Sequence, residues 1–203
     1  MSAVGEAIDS GHPGVLRLTV LRSPFERALT TLIFKLPSLI QQFIRFFFPG
    51  FFLPDCVVLK KLKPNWDEEF DNEKLMYQRL ASLQGDVIPK FYGETKFEGS
   101  RALVLSEVVG VLPIKQKLPP LEPKEFQRRV EAAFRELAAF DLAYDDVKLD
   151  NMIMVEDRIV LVDLESVWEP EPHKREYAFK SYVSHAMLVY DRYLNSLDDD
   201  DGF

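Results

Sequence analysis

Cysteine is nearly absent. Cys56 is the only one in 203 residues, which excludes a disulfide framework and a thiolate zinc centre and points to a reducing, intracellular setting such as the cytoplasm. Basic residues are in the minority, 25 Lys and Arg against 33 Asp and Glu, for a net charge of −8. Phosphate backbones are bound by clustered Lys and Arg, and no basic stripe occurs, so nucleic acid is excluded as the main partner. Long apolar runs are also missing. The most apolar stretch, Leu36–Leu53, is broken by Pro37, Gln41, Gln42, Arg45 and Pro49-Gly50, and falls short of the roughly 20 apolar residues that a spanning helix needs. Met1 to Pro13 has no apolar signal region and reads as a loose tail over residues 1–14. The Asp198–Asp201 run reads as a solvated acidic end over 198–203. No internal repeat is visible.

What is present is a globular composition, 47% hydrophobic, long enough for one sizeable core or two small lobes. The chain is organised around Asp146 to Glu165. Met152 to Val155 and Ile159 to Val162 are short apolar runs flanking the polar Glu156-Asp157-Arg158, so the pair reads as a β-hairpin. Asn151 and Asp163 are equally distant from Asp157, and a hairpin centred there sets them side by side at its open end with Asp146 just before. Two carboxylates roughly 4 Å apart repel by about 4 kcal/mol at an effective dielectric near 20. Such a cluster needs a cation or a shared proton, and carboxylates plus an amide oxygen suit magnesium carrying a nucleotide. An ordinary hairpin with solvated polar ends is the alternative.

Upstream, Val15 to Leu21 alternates as a strand, and Thr30 to Leu36 reads as its returning partner. Leu39, Ile40, Phe43, Phe46 and Phe47 recur at helical spacing, giving a short amphipathic helix that lies on the core, on a protein partner or on a membrane surface. Val57-Val-Leu-Lys60 is a strand. Glu68 to Leu83 is helical, with Phe70, Met76, Tyr77, Leu80 and Leu83 on one side, and this periodicity sets Glu73 on the apolar face. A carboxylate buried there requires a cation, for which Lys60 is the candidate; otherwise Glu73 sits at the margin and reaches water. A hairpin over Ile88–Phe97 and Arg101–Val108 follows, then a proline-bearing connector. Pro123 opens a helix with Phe126, Val130, Phe134 and Leu137 inward, and Lys174 to Leu197 closes the chain as another helix.

In this order the parts resemble the protein-kinase-like superfamily, most closely its compact, divergent members common in fungi, over Val15 to Glu165. Val57-Val-Leu-Lys60 is similar to the Val-Ala-Ile-Lys strand and Glu73 to the helix Glu that pairs with that Lys. Leu105 to Val109 resembles the hinge whose backbone holds adenine, which implicates Glu107 and Val109. Tyr144-Asp145-Asp146-Val-Lys148-Leu-Asp150-Asn151 resembles the His-Arg-Asp-x-Lys-x-x-Asn loop, and Asp163-Leu164-Glu165 the Asp-Phe-Gly motif. The resemblance implies an α+β, two-lobed fold. Residues 15–109 form a sheet lobe with one main helix and a Phe-rich insert at about 36–53; residues 110–197 form a shortened, mainly helical lobe. It implies ATP- and magnesium-dependent transfer of the γ-phosphate to a hydroxyl of a protein or small molecule. Asp146 receives the proton, Lys148 steadies the phosphoryl group, Asn151 and Asp163 hold magnesium, and Lys60 grips the α- and β-phosphates.

The departures define the competing reading. No Gly-x-Gly-x-x-Gly loop is present, and Ser23 to Arg27 is read as standing in its place. Tyr144 and Asp145 replace the loop His and Arg, and Glu165 replaces the motif Gly. Only 38 residues follow Glu165, without Ala-Pro-Glu. These features suit a pseudokinase, a nucleotide-binding or protein-interaction module without turnover.

Overall fold

The computed structural model describes residues 2–8 and 13–200. The protein is α+β, with a five-stranded antiparallel sheet and, among the described residues, five α-helices. The chain divides into two compact units, Met1–Asn65 with Phe91–Glu107, and Trp66–Lys90 with Val108–Phe203.

The first unit carries the sheet. Strands β1 (Ser2–Ala7) and β2 (Val15–Leu21) precede helices α1 (Pro24–Ile33) and α2 (Ser38–Phe47); β3 (Cys56–Lys61), β4 (Phe91–Phe97) and β5 (Ser100–Ser106) complete it in the order β1-β2-β3-β5-β4. Alternation along β2 and β3 turns Leu18, Val20, Val57 and Leu59 to one face. There they bury against Ala102, with Leu16, Leu53, Tyr92, Phe97 and Val104 partly covered around them.

Two expectations are corrected here. The partner of β2 is β1, with Ser2 opposite Leu21 and Ala7 opposite Leu16, so a strand occupies residues expected to be a loose tail. Thr30 to Leu36 is not a strand, because α1 covers most of it. Its start explains why: Ser23 Oγ accepts from the Glu26 amide at 3.2 Å while Glu26 Oε2 accepts from the Ser23 amide at 2.8 Å, with Pro24 at the first helical position. This reciprocal cap satisfies two otherwise orphaned donors and outweighs the β-branched Thr30-Thr31 pair.

The second unit holds α3 (Asp67–Arg79), α4 (Pro123–Ala138), the short pair β6 (Ala143–Tyr144) and β9 (Val167–Trp168), the hairpin β7 (Met152–Val155) and β8 (Arg158–Leu161), and α5 (Arg175–Asp200). Residues 198–200 of the expected acidic tail lie in α5, while 201–203 fall outside the described residues. The start of α3 is favoured by Asp67, Glu68 and Glu69 in its first turn and its end by Arg79. The apolar stripe of α4 is buried as expected, at Phe126, Val130, Phe134 and Leu137, and packs on α5 and β8.

Helix α4 also positions the hairpin. Arg129 donates to the Glu156 carbonyl at 2.6 Å and Arg128 to the Asp157 carbonyl at 3.2 Å, so both arginines fix the turn from the helix. Glu125 holds the two guanidiniums in place at 2.7 and 2.8 Å. The hydrogen bonds of Arg128 and then Arg129 lower the Glu125 carboxyl from its ordinary 4.5 to about 2. A carboxyl depressed on folding contributes stability above its unfolded value, and that contribution disappears as pH falls from 4.5 through about 2. Glu125→Gln is therefore expected to narrow the difference in urea midpoint between pH 7 and pH 3; an unchanged difference contradicts the clamp.

Candidate functional site

All elements of the site belong to the second unit. The hairpin turn is two residues long, with Val155 opposite Arg158 and Met152 opposite Leu161. Its centre therefore lies half a residue earlier than the sequence reading placed it. Asn151 faces Val162, whose amide donates to the Asn151 carbonyl at 3.0 Å; Asp163 is one position beyond, a diagonal neighbour of Asn151 rather than its direct partner.

At the open end of the hairpin three predicted residues meet directly. Asn151 is buried and donates Nδ2 to Asp146 Oδ2 at 2.9 Å and to the Asp146 carbonyl at 3.1 Å. Lys148 Nζ lies 2.7 Å from Asp146 Oδ1. With its amide nitrogen committed to Asp146, Asn151 has its side-chain oxygen left as the acceptor end. The hydrogen bond from Lys148 to Asp146 raises the lysine's pKa above 10.5, so the ammonium persists through the neutral range. Any stability from this pair is present below the unfolded value and lost only as pH rises through the folded one.

A second group forms around Asp163. Ligand oxygens of Glu73, Asp163 and Glu165 all lie within 4.8 Å of one another. Glu73 is 0% exposed, so it does not reach water, and its Oε1 accepts the Leu164 amide at 3.3 Å. Asp163 has φ 62° and ψ 74°, a left-handed conformation that is uncommon outside glycine and tolerated best by Asp and Asn. Strained backbone of this kind gathers at functional sites. The residues after it are held by Asn72, whose Nδ2 donates to the carbonyls of Glu165 and Val167 at 2.8 and 2.9 Å.

Tyr144 ties the two groups together. Its hydroxyl donates to the Val162 carbonyl at 2.6 Å, linking the segment before Asp146 to the residue before Asp163. Burial, then the charges of Asp163, Asp146 and Glu73, push its phenol well above the ordinary value of 10, so it remains a neutral donor. Tyr144→Phe leaves that carbonyl without this partner at a cost of about 1–3 kcal/mol, and should lower the melting temperature by several degrees on the order of 2–4 °C per kcal/mol. An unchanged melting temperature by calorimetry contradicts the linking role.

Beside Asp146 a cleft of about 530 Å³ opens, lined among others by Asp145, Lys148, Asp150, His185 and Tyr193. Its size lies within the roughly 300–1,000 Å³ typical of small-molecule sites. His185 and Tyr193 come from α5 and were not anticipated, because nothing local in the sequence brings that helix to the loop. Asn72 and Glu165 were also missed as positioning and oxygen-bearing residues. The residue next to Glu73 carries an amide, and an acidic residue stands two after Asp163; those were the available signals.

The remaining predicted residues are on other elements. Lys60 is on β3 of the first unit and 7% exposed. Glu107 is also in the first unit, where Arg17 Nε meets it at 2.8 Å. Val109 belongs to the second unit and is 82% exposed. No protein-family model matches this chain, and no curated protein is significantly similar to it.

Proposed function

We propose that the protein is a magnesium- and ATP-dependent phosphotransferase of the protein-kinase-like superfamily, acting on a hydroxyl. The observation that carries the reading is the constellation of Asp146, Lys148 and Asn151 joined by hydrogen bonds of 2.7–3.1 Å, one residue register away from an acid held in a left-handed backbone at Asp163. The element order also supports it, apart from the two helices α1 and α2 inserted after the first hairpin: a strand bearing Lys60, a helix bearing Glu73, a second hairpin, a helix, then the loop and the hairpin that ends at Asp163. Ser23 to Arg27, read as standing where a glycine-rich loop would be, instead opens α1. The chain has no Gly-x-Gly-x-x-Gly motif, and that departure still favours the pseudokinase alternative.

The chemistry of the donors suits magnesium: Glu73, Asp163 and Glu165 bring converging carboxylate oxygens, and Asn151 would add an amide oxygen, all hard ligands. When bound, the ion supplies charge neutralisation at the β- and γ-phosphate oxygens. Asp146 orients the acceptor hydroxyl and takes its proton as the oxygen bonds to the γ-phosphorus. The bond from that phosphorus to the bridging oxygen breaks, and its electron pair leaves with ADP. Lys148, protonated across the neutral range, faces the charge that develops on the transferred group. The cleft lined by Asp145, Asp150 and His185 receives the acceptor, and its volume favours a small molecule.

The test is purified protein with magnesium and γ-labelled ATP, offered small polyhydroxy and amino-alcohol acceptors, with Asp163→Asn as control. Label on an acceptor, lost in the variant, supports transfer. Nucleotide binding without label on any acceptor or on water replaces the reading with the pseudokinase.

A further inference from the structure

Helix α2 is tied down through one polar residue. Gln41 donates Nε2 to the Leu36 carbonyl at 2.8 Å and the Phe34 carbonyl at 3.2 Å, anchoring the helix to the α1–α2 connection. Leu39, Ile40, Phe43, Phe46 and Phe47 face outward; Leu39 is 77% and Phe46 80% exposed, and no residue of α2 is buried. The rings of Phe43, Phe46 and Phe47 stand together at centroid separations of 4.9 and 5.0 Å. Phe25, Leu32, Phe34 and Phe48 are exposed in the flanking residues. The core alternative raised by the sequence is thereby removed. A cluster of exposed apolar side chains on this scale marks an interaction face.

Charge identifies the occupant. Residues 22–53 hold four basic side chains and one acid, Glu26, whereas the whole chain has a net charge of −8. Of the 16 phenylalanines, eight fall in this segment. Arg27, Lys35 and Arg45 are exposed, and Arg45 lies over the Phe52 ring at 4.6 Å. A second copy would bring two positive segments together. The outward residues carry no hydroxyl or indole to match a partner's polar groups, whereas interface hot spots favour Tyr, Trp and Arg. An acyl boundary beneath anionic headgroups requires only apolar depth and flanking cations. Among the described residues, no helix is long and apolar enough to cross a membrane, so the contact is interfacial.

We propose that the α1–α2 segment docks the protein on an anionic membrane surface, with Phe43, Phe46 and Phe47 entering the headgroup–acyl boundary and Arg27, Lys35 and Arg45 engaging the headgroups. Phosphoryl transfer is not required for this.

The test is flotation of the full chain with vesicles of phosphatidylcholine alone, and of phosphatidylcholine with about one quarter phosphatidylserine. The wild type is expected to float with the anionic vesicles and to partition at least about tenfold less onto neutral ones. Phe43→Ser with Phe46→Ser should reduce partitioning on the order of a hundredfold, and Arg27→Glu with Lys35→Glu should erase the preference for phosphatidylserine. Both pairs are exposed, so an unchanged circular-dichroism melt is expected alongside. No flotation with anionic vesicles, or flotation indifferent to the Phe pair, overturns the proposal. So does a concentration-dependent dimer without lipid that the Phe pair abolishes, which would identify a second copy as the occupant.

Discussion

Asp146→Asn is expected to reduce label transfer from γ-labelled ATP by about a hundred- to ten-thousandfold, the range for losing a positioned general base, while leaving nucleotide binding in place. The substitution is nearly isosteric. Its side-chain oxygen can still accept from Asn151 Nδ2, which now meets Asp146 Oδ2 at 2.9 Å, so the hairpin end keeps its arrangement. What disappears is the ability to take a proton and the negative partner of Lys148, now 2.7 Å from Asp146 Oδ1. The signature is a fall in kcat with an unchanged nucleotide-induced thermal shift. A variant that retains full turnover removes Asp146 from the chemistry. One that loses the thermal shift as well assigns the residue to nucleotide binding or folding instead.

Phe126→Ala should cost about 3–5 kcal/mol, the range for deleting a buried aromatic side chain. Phe126 is fully buried on α4 and stacks on Tyr190 of α5 with ring centroids 3.9 Å apart and planes at 16°. Tyr190 in turn donates its hydroxyl to the Leu121 carbonyl at 2.6 Å and accepts from Gln116 at 3.0 Å. Removing the ring therefore loosens the helix pair and the connector leading into α4. A fall in melting temperature on the order of 10 °C is expected. Phe46→Ala is the matched control. It removes the same side chain from an exposed position, and surface substitutions of this kind change stability by less than about 0.5 kcal/mol. Equal losses from the two variants would contradict the assignment of inner and outer faces.

The contrast between these phenylalanines shows what the sequence reveals and what it leaves open. Periodicity identified the apolar stripe of α4 and that of α2 equally well. It does not say whether another element covers a stripe, and only α4 is covered. The hairpin at Asp146 to Glu165 was legible because two apolar runs flank a charged turn. Its register was misplaced because a two-residue turn at Glu156-Asp157, with Glu156 at φ 52°, leaves no single central residue. Thr30 to Leu36 looked like a strand because Thr30, Thr31 and Ile33 are β-branched, and the reciprocal Ser23–Glu26 cap that made it a helix was overlooked. Strand β1 was hidden because Ser2–Ala7 is short, small and partly polar, and pairs through backbone groups that no side-chain pattern records. Asn72 and His185 reach the site through tertiary packing of α3 and α5, which spacing along the chain does not encode.

The most direct measurement is the thermal shift of the wild type with ATP, with and without magnesium, beside Asp163→Asn. A nucleotide bound at a hundred times its dissociation constant stabilises by about 2.7 kcal/mol. A shift of several degrees that requires magnesium and disappears in Asp163→Asn is expected. A wild type that shows no shift with magnesium and ATP would contradict the proposed nucleotide site at its foundation.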